Sequence, residues 1–183
     1  MKAISHFKTI TEHRNLVMKE CFKVGLFKQG LLHDLSKYGP KEFFVGARYY
    51  QGFRSPNNAE REDIGYSSAW LHHKGVNKHH YEYWIDYAAS EGVGTLPVRM
   101  PDKYLVEMVM DRIAASKIYN KDNYTDDMPL NYFLKGKDHL VMHPDTMREL
   151  EFLLAKLASE GEEATFSYIR KVILKNDWKL IRK

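Results

Sequence analysis

The chain has one cysteine in 183 residues, Cys21. That excludes an intramolecular disulfide framework and suits a reducing compartment. Long apolar runs are missing as well, and none approaches the roughly twenty residues a bilayer-spanning helix needs. The first residues, Met1-Lys2-Ala3-Ile4-Ser5-His6-Phe7-Lys8, hold no uninterrupted apolar stretch of signal-peptide length. The expectation is a cytoplasmic protein with no membrane partner. The sequence also lacks a Walker loop, a dinucleotide glycine motif and a serine-nucleophile elbow, which removes the chemistries those motifs carry. Low-complexity segments and internal repeats are absent.

What is present reads as a folded, helical chain. Apolar residues make up 44% and charged residues 28%, enough for a sizeable core under an ordinary polar surface. The length fits one domain, 1–183, with the informative motifs in 6–118 and a helical extension over 144–183. The formal net charge is +4. Arg170, Lys171, Lys175, Lys179, Arg182 and Lys183 face only Asp177, so the excess belongs to the C-terminus and the rest is close to neutral. A solvated basic helix face is the expectation there, and nucleic acid is not an expected partner.

Helical periodicity dominates, and no alternating strand stands out. Phe7, Ile10, His13, Val17, Cys21 and Val24 fall at steps of three and four, one stripe of a helix over 3–24. Gly25 and Gly30 mark a break, after which Leu31, Leu32 and Leu35 predict a second buried helix carrying His33 and Asp34. Tyr38-Gly39-Pro40 ends it, with Pro40 placed for the first turn of a helix over 41–50. A loop at 51–58 leads to a helix from about 59 or 63 to 74. Asn77 is suited to cap a helix over 79–90. Glu91-Gly92-Val93-Gly94 reads as a linker. The 104–118 segment is apolar on most sides and should be central. Residues 120–129 are turn-rich, and helices over 145–159 and 162–175 flank Glu160-Gly161. The expected fold is all-α, a bundle of six or more helices.

The nine histidines are unevenly spread. His33 is followed directly by Asp34, and His72, His73, His79 and His80 crowd one short stretch. His13 lies on the apolar stripe of the first helix, where a lone histidine is ordinarily a core residue; a metal-binding pair on the next element favours a ligand. His6 lies about 10 Å further along the same helix, too far to share one cation with His13. Adjacent helical residues diverge, so His72 and His73 should do different jobs, and His73 is preferred. Asp111 sits in an apolar helix, where a carboxylate needs a partner or a metal. Glu107, one turn earlier, is a fallback ligand or general base. Asp86 and Asp102 are weaker candidates in polar surroundings. Imidazole with carboxylate suits zinc, iron, manganese or cobalt, one ion or two. Lys37, three residues after Asp34, is placed to meet a substrate phosphate. Cys21 reads as packing, and the His139/His143 pair as incidental.

Taken together, His13, His33-Asp34 with Lys37, the histidines at 72–80 and Asp111 resemble the HD-domain superfamily of metal-dependent phosphohydrolases. His33-Asp34-Leu35-Ser36-Lys37 is similar to its His-Asp-x-x-Lys signature, and the order of the remaining residues resembles the two-metal version. The Trp70–Trp84 block is similar to a bacterial and phage family of HD-like proteins with no assigned function. The resemblance implies an HD-like helical fold. It implies His13, His33, Asp34, His73, His79, His80 and Asp111 around one or two divalent cations, with Asp34 bridging and Lys37 facing phosphate. It also implies hydrolysis of a small phosphorylated substrate, a nucleotide in the first instance. A metal- or nucleotide-binding module without turnover, and di-iron oxygenase chemistry, are the alternatives. Doubling at 72–73 and at 79–80 departs from the pattern. The glycine-rich signature of the cyclic-dinucleotide subgroup is absent.

Overall fold

Helix α6 (Asp102–Asn120) has no polar face to give to solvent. Leu105, Val106, Met108, Val109, Met110, Ile113 and Ala114 point in all directions around it, and all are buried. Such a helix is stable only with neighbours on every side. In the computed structural model, which describes residues 2–89, 92 and 94–175, the neighbours are α1 (Lys2–Lys23), α7 (Met128–Gly136) and α8 (Pro144–Tyr168). Val17 and Cys21 of α1, with Val24 just after it, meet Phe133 of α7 and Leu150, Leu153, Leu154 and Leu157 of α8 in one core. The α8 leucines recur at steps of three and four, the spacing of one helix face. At about 25 cal/mol per Å² of apolar surface removed from water, this is where most of the stability arises.

The second layer lies on α1. Helices α2 (Phe27–Leu32) and α3 (Pro40–Tyr49) pack on it, and α4 (Pro56–Ile64) and α5 (Ser68–Val76) pack on α3. Pro40, Pro56 and Pro144 each open a helix, where their missing N–H would lack a helical partner in any case. Ser67 caps α5 by accepting from Trp70 N at 3.1 Å. The expected single helix over 59–74 is two, because Gly65 takes φ 82° and ends α4 in the left-handed conformation.

The molecule is all-α apart from one short hairpin, and among the described residues it has eight α-helices. Several expectations are corrected. The second helix stops at Leu32, before His33-Asp34, and Leu31, Leu32 and Leu35 are about half exposed while His33 and Asp34 are buried. Six residues make too short a helix to bury a leucine face, and the chain turns the polar pair inward instead. The stretch expected to be helical over 79–90 forms a 3-10 turn, Tyr81–Trp84, and then strand β1 (Ile85–Tyr87). β1 pairs antiparallel with β2 (Thr95–Pro97), Asp86 opposite Leu96. Its aromatic and branched residues favour a pleated surface over a helix. Residue 90 of that expected helix, and residues 91 and 93 of the expected linker, lie outside the described residues. Asn77 closes α5 rather than opening another helix: its N–H donates to His73 O at 3.1 Å and its side-chain amide donates to the same oxygen at 2.8 Å. On α1, His6 is buried where Phe7 was expected. α7 begins at Met128, inside the expected turn region 120–129, and runs through a stretch for which no helix was expected. α8 breaks at Gly161 (φ 79°, ψ 177°), as the Glu160-Gly161 signal implied. The C-terminal basic helix is described to Lys175; Asp177, Lys179, Arg182 and Lys183 lie outside. No described helix is long and apolar enough to cross a membrane.

Candidate metal centre

The site is built around Asp34. Its φ of 54° is left-handed, a conformation that costs most side chains energy and that aspartate tolerates better than most. Placed between α2 and the 3-10 turn Leu35–Tyr38, this kink drives both His33 and Asp34 into the interior. Their side chains reach the junction of α1, α5 and α6.

The two oxygens of Asp34 face different imidazoles. Oδ2 lies 3.4 Å from His33 Nε2 and 3.8 Å from His13 Nε2. Oδ1 lies 3.2 Å from His73 Nε2 and 3.3 Å from His79 Nε2. Asp111 Oδ1 is 2.9 Å from His13 Nε2 and 3.9 Å from His33 Nε2, while its Oδ2 is 4.0 Å from His79 Nε2. Asp34, His73, His79 and His80 form one group that could hold a metal ion, and His13, His33 and Asp34 form another. Asp34 belongs to both.

An outer ring of carboxylates sets the histidines. Glu107 Oε1 lies 2.9 Å from His33 Nδ1 and 3.2 Å from His79 Nδ1. Glu42 Oε2 lies 2.7 Å from His73 Nδ1, and its Oε1 lies 2.7 Å from His72 Nδ1. An ionised carboxylate only accepts, so each Nδ1 must donate. In a neutral ring that leaves a lone pair at Nε2, aimed at Asp34. Nε2 of His33, His73, His79 and His80 are all buried without a hydrogen-bond partner, as is Asp34 Oδ1. Buried polar atoms left unmatched in one place are costly, and a cation among them would satisfy them together. The residues fit a metal.

Charge within the cluster tells the same story. Burial raises the Asp34 carboxyl, but the charges of His33, Lys37 and His73 outweigh it and hold it well below the usual range. Asp111 is also held low, mainly by its hydrogen bond with His13 against the upward push of burial. Burial lowers His79, yet Asp34 and Glu107 overcome it and raise the group to about 10. Burial, reinforced by His79 and His73, pushes His80 down, and burial likewise lowers His13 against the pull of Asp111. The carboxylates thus demand positive charge here, which protons on imidazole can supply when a cation does not.

Every residue expected around the cation meets at this place: His13, His33, Asp34, His73, His79, His80 and Asp111. Of the 72–73 pair, His73 faces the cluster, while His72 reaches Glu42 and is partly exposed. Lys37 ion-pairs with Asp34 Oδ2 at 2.5 Å. Glu107 supports the histidines from behind at Nδ1. Glu42 was missed altogether. The faint sequence signal was its spacing from Gly46, since these two residues form the buried face of α3. Asp86 is exposed, and Asp102 pairs with Arg99 at 2.9 Å, away from the cluster. His143 caps α8, its Nδ1 accepting from Asp145 N at 3.2 Å.

A cavity of about 230 Å³ lies against the cluster, lined by His13, Lys37, Asp111, Tyr50, Trp70 and Tyr119 among others. His6 stands in its wall, with Gly46 so close that a Cβ there would collide with the ring. Burial, with Lys37 nearby, lowers His6 to about 4 and keeps it neutral near pH 7.

An all-α protein with a buried histidine/carboxylate cluster able to hold metal is the class that fold and site define. The chain belongs to the DUF5662 family, a family of unknown function, whose family model matches residues 2–156. No curated protein and no solved structure matches it.

Proposed function

We propose that this chain is a metal-dependent phosphohydrolase of the HD type, acting in the cytoplasm on a nucleotide or other small phosphoester. One observation carries the reading: the two oxygens of Asp34 face two separate sets of imidazoles, His33 and His13 on one side and His73 and His79 on the other, with Nε2 of His33, His73 and His79 buried and unmatched, beside a cavity that Lys37 also lines. His13, His33, Asp34 and Asp111 would hold one divalent transition metal, and Asp34, His73, His79 and His80 a second. Iron, manganese, cobalt or zinc suits such donors. When bound, the metals supply Lewis acidity toward a phosphoryl oxygen and acidify water for attack.

The chain's own residues do the rest. Glu42 and Glu107 hold the Nδ1 protons of His73, His33 and His79, so that each ring, once neutral, directs its Nε2 lone pair at the cation. Lys37, released from neutralising Asp34 when a cation takes that task, reaches a phosphate oxygen in the cavity. There it offsets charge that grows toward the transition state. Trp70, Tyr50 and Tyr119 shield the reacting phosphate from bulk water.

The test is metal content per chain in anaerobically purified wild type and Asp34→Ala, followed by a phosphoester panel on metal-loaded protein. Two transition-metal atoms in the wild type, lost in the variant, with phosphate release from at least one ester, support the proposal. Absence of metal even after reloading would sink it. Full metal with dioxygen uptake and no phosphate release would assign oxidative chemistry instead.

A further inference from the structure

Asp111 and Arg112 are consecutive on α6 and serve different spaces. Asp111 faces the histidines, while Arg112 lines a second cavity, of about 500 Å³, on the other side of the same wall. Trp70, His80, Asp111 and Ala115 border both cavities, so the histidine cluster is flanked by two of them. Among the described residues Arg112 forms no ion pair and no hydrogen bond. Its Nε is buried without a partner, and its guanidinium lies 5.8 Å from the Phe133 ring centroid. Lys135 adds a second positive charge to this cavity.

An arginine whose Nε is buried with no acceptor is costly, and the cost persists only where something else satisfies it. Its planar fork matches an oxyanion in two parallel hydrogen bonds. The opposing charges are Glu82 and Asp111. Asp111 is already engaged by His13, and Glu82 keeps one buried oxygen, Oε2, without a donor. A ligand with an oxyanion for Arg112 and a hydroxyl or amino donor for Glu82 would satisfy both orphans.

We propose that the second cavity is an oxyanion site in which Arg112, assisted by Lys135, binds a phosphate or carboxylate group of a small ligand. It is separate from the place of Lys37 and stands whether or not the chain hydrolyses phosphoesters. A free anion and the anionic end of a larger ligand present the same chemistry to Arg112.

The experiment is titration of the intact protein with inorganic phosphate, read by calorimetry and by thermal shift, with no turnover required. Arg112→Met should weaken phosphate binding by about tenfold or more, the loss of a charge-assisted bidentate contact. Arg112→Lys should retain part of it. Lys135 is exposed, so Lys135→Met should fold normally and weaken binding severalfold. Glu82→Gln, which removes a repelling charge, should leave binding equal or tighter. Wild-type phosphate affinity in both Arg112→Met and Lys135→Met would overturn the proposal. So would a phosphate response abolished by Lys37→Met alone, which would place the anion in the first cavity. If Arg112→Met fails to fold, Lys135→Met decides: severalfold weaker phosphate binding upholds the proposal, and wild-type affinity overturns it. Glycerol phosphate, which adds hydroxyl donors, should bind more tightly than inorganic phosphate and lose that advantage in Glu82→Met, which has no oxygen to accept from them.

Discussion

His79 sits in the metal cluster with its pKa raised to about 10, which fixes how the centre must respond to pH. Without metal the folded chain keeps a proton on this ring up to about pH 10, whereas the unfolded chain releases it near the ordinary histidine value of about 6.5. The stabilisation this proton contributes is therefore complete below about 6.5 and fades as pH rises through 10. A cation needs the neutral ring, so metal binding at pH 7 should expel close to one proton from His79, and affinity should weaken as pH falls. Calorimetry of metal binding in buffers of different ionisation enthalpy reads the proton directly. His6 behaves in the opposite sense. Its folded value, about 4, lies below the unfolded one, so its contribution to stability is lost as pH falls from about 6.5 toward 4. His6→Phe should flatten the acid limb of urea stability by an amount on the order of 3 kcal/mol at pH 4 relative to neutral pH. Glu42→Gln and Glu107→Gln should each leave the fold intact and weaken metal about 10- to 100-fold in chelator competition, because each loosens rings it orients. The imidazoles and Asp111 were legible in the sequence because they are chemically distinctive and crowded. Glu42 was not, since a glutamate in a first helical turn reads as an ordinary surface residue until the histidines it supports are placed.

At the scale of elements, the reading of the sequence held where a helix has a long apolar repeat and failed where a few residues decide. α1, α6 and α8 are of the first kind. His33-Asp34 is of the second: the leucines around it argue for a continuous buried helix, but one left-handed aspartate turns the chain and exchanges the leucines for the polar pair. The hairpin at Ile85–Tyr87 was hidden because its strands are three residues each, too short to show alternation. Gly161 was legible and can be tested. Its φ of 79° with ψ of 177° is a region that is close to glycine-only, and a Cβ there would meet nothing closer than Asp126 Oδ2 at 3.5 Å. The cost of Gly161→Ala is therefore conformational rather than steric, about 1–3 kcal/mol in urea unfolding. Metal content should be unchanged, because none of the cluster's ligands lies on α8.

For the whole molecule, the cluster is a junction. His13 comes from α1, His33 and Asp34 from the turn after α2, His73 from α5, and Asp111 from α6. A cation held by these residues would tie the α1–α6 core to the α3–α5 layer, and it would bind only the folded chain. Metal at a hundredfold excess over its Kd stabilises by about 2.7 kcal/mol, so chelation should lower Tm by about 5–10 °C in a chain of this size. Scanning calorimetry with and without chelator measures it, and Asp34→Ala should show no such difference. The adjacency of Asp111 and Arg112 has a consequence of another kind. Each residue turns a helix by about 100°, so inserting or deleting one residue in α6 ahead of Asp111 would swing both side chains out of their cavities at once. A one-residue insertion should therefore be accepted in connections such as 121–127 and 137–143, whereas the same insertion in α6 ahead of Asp111 should abolish both metal and phosphate binding.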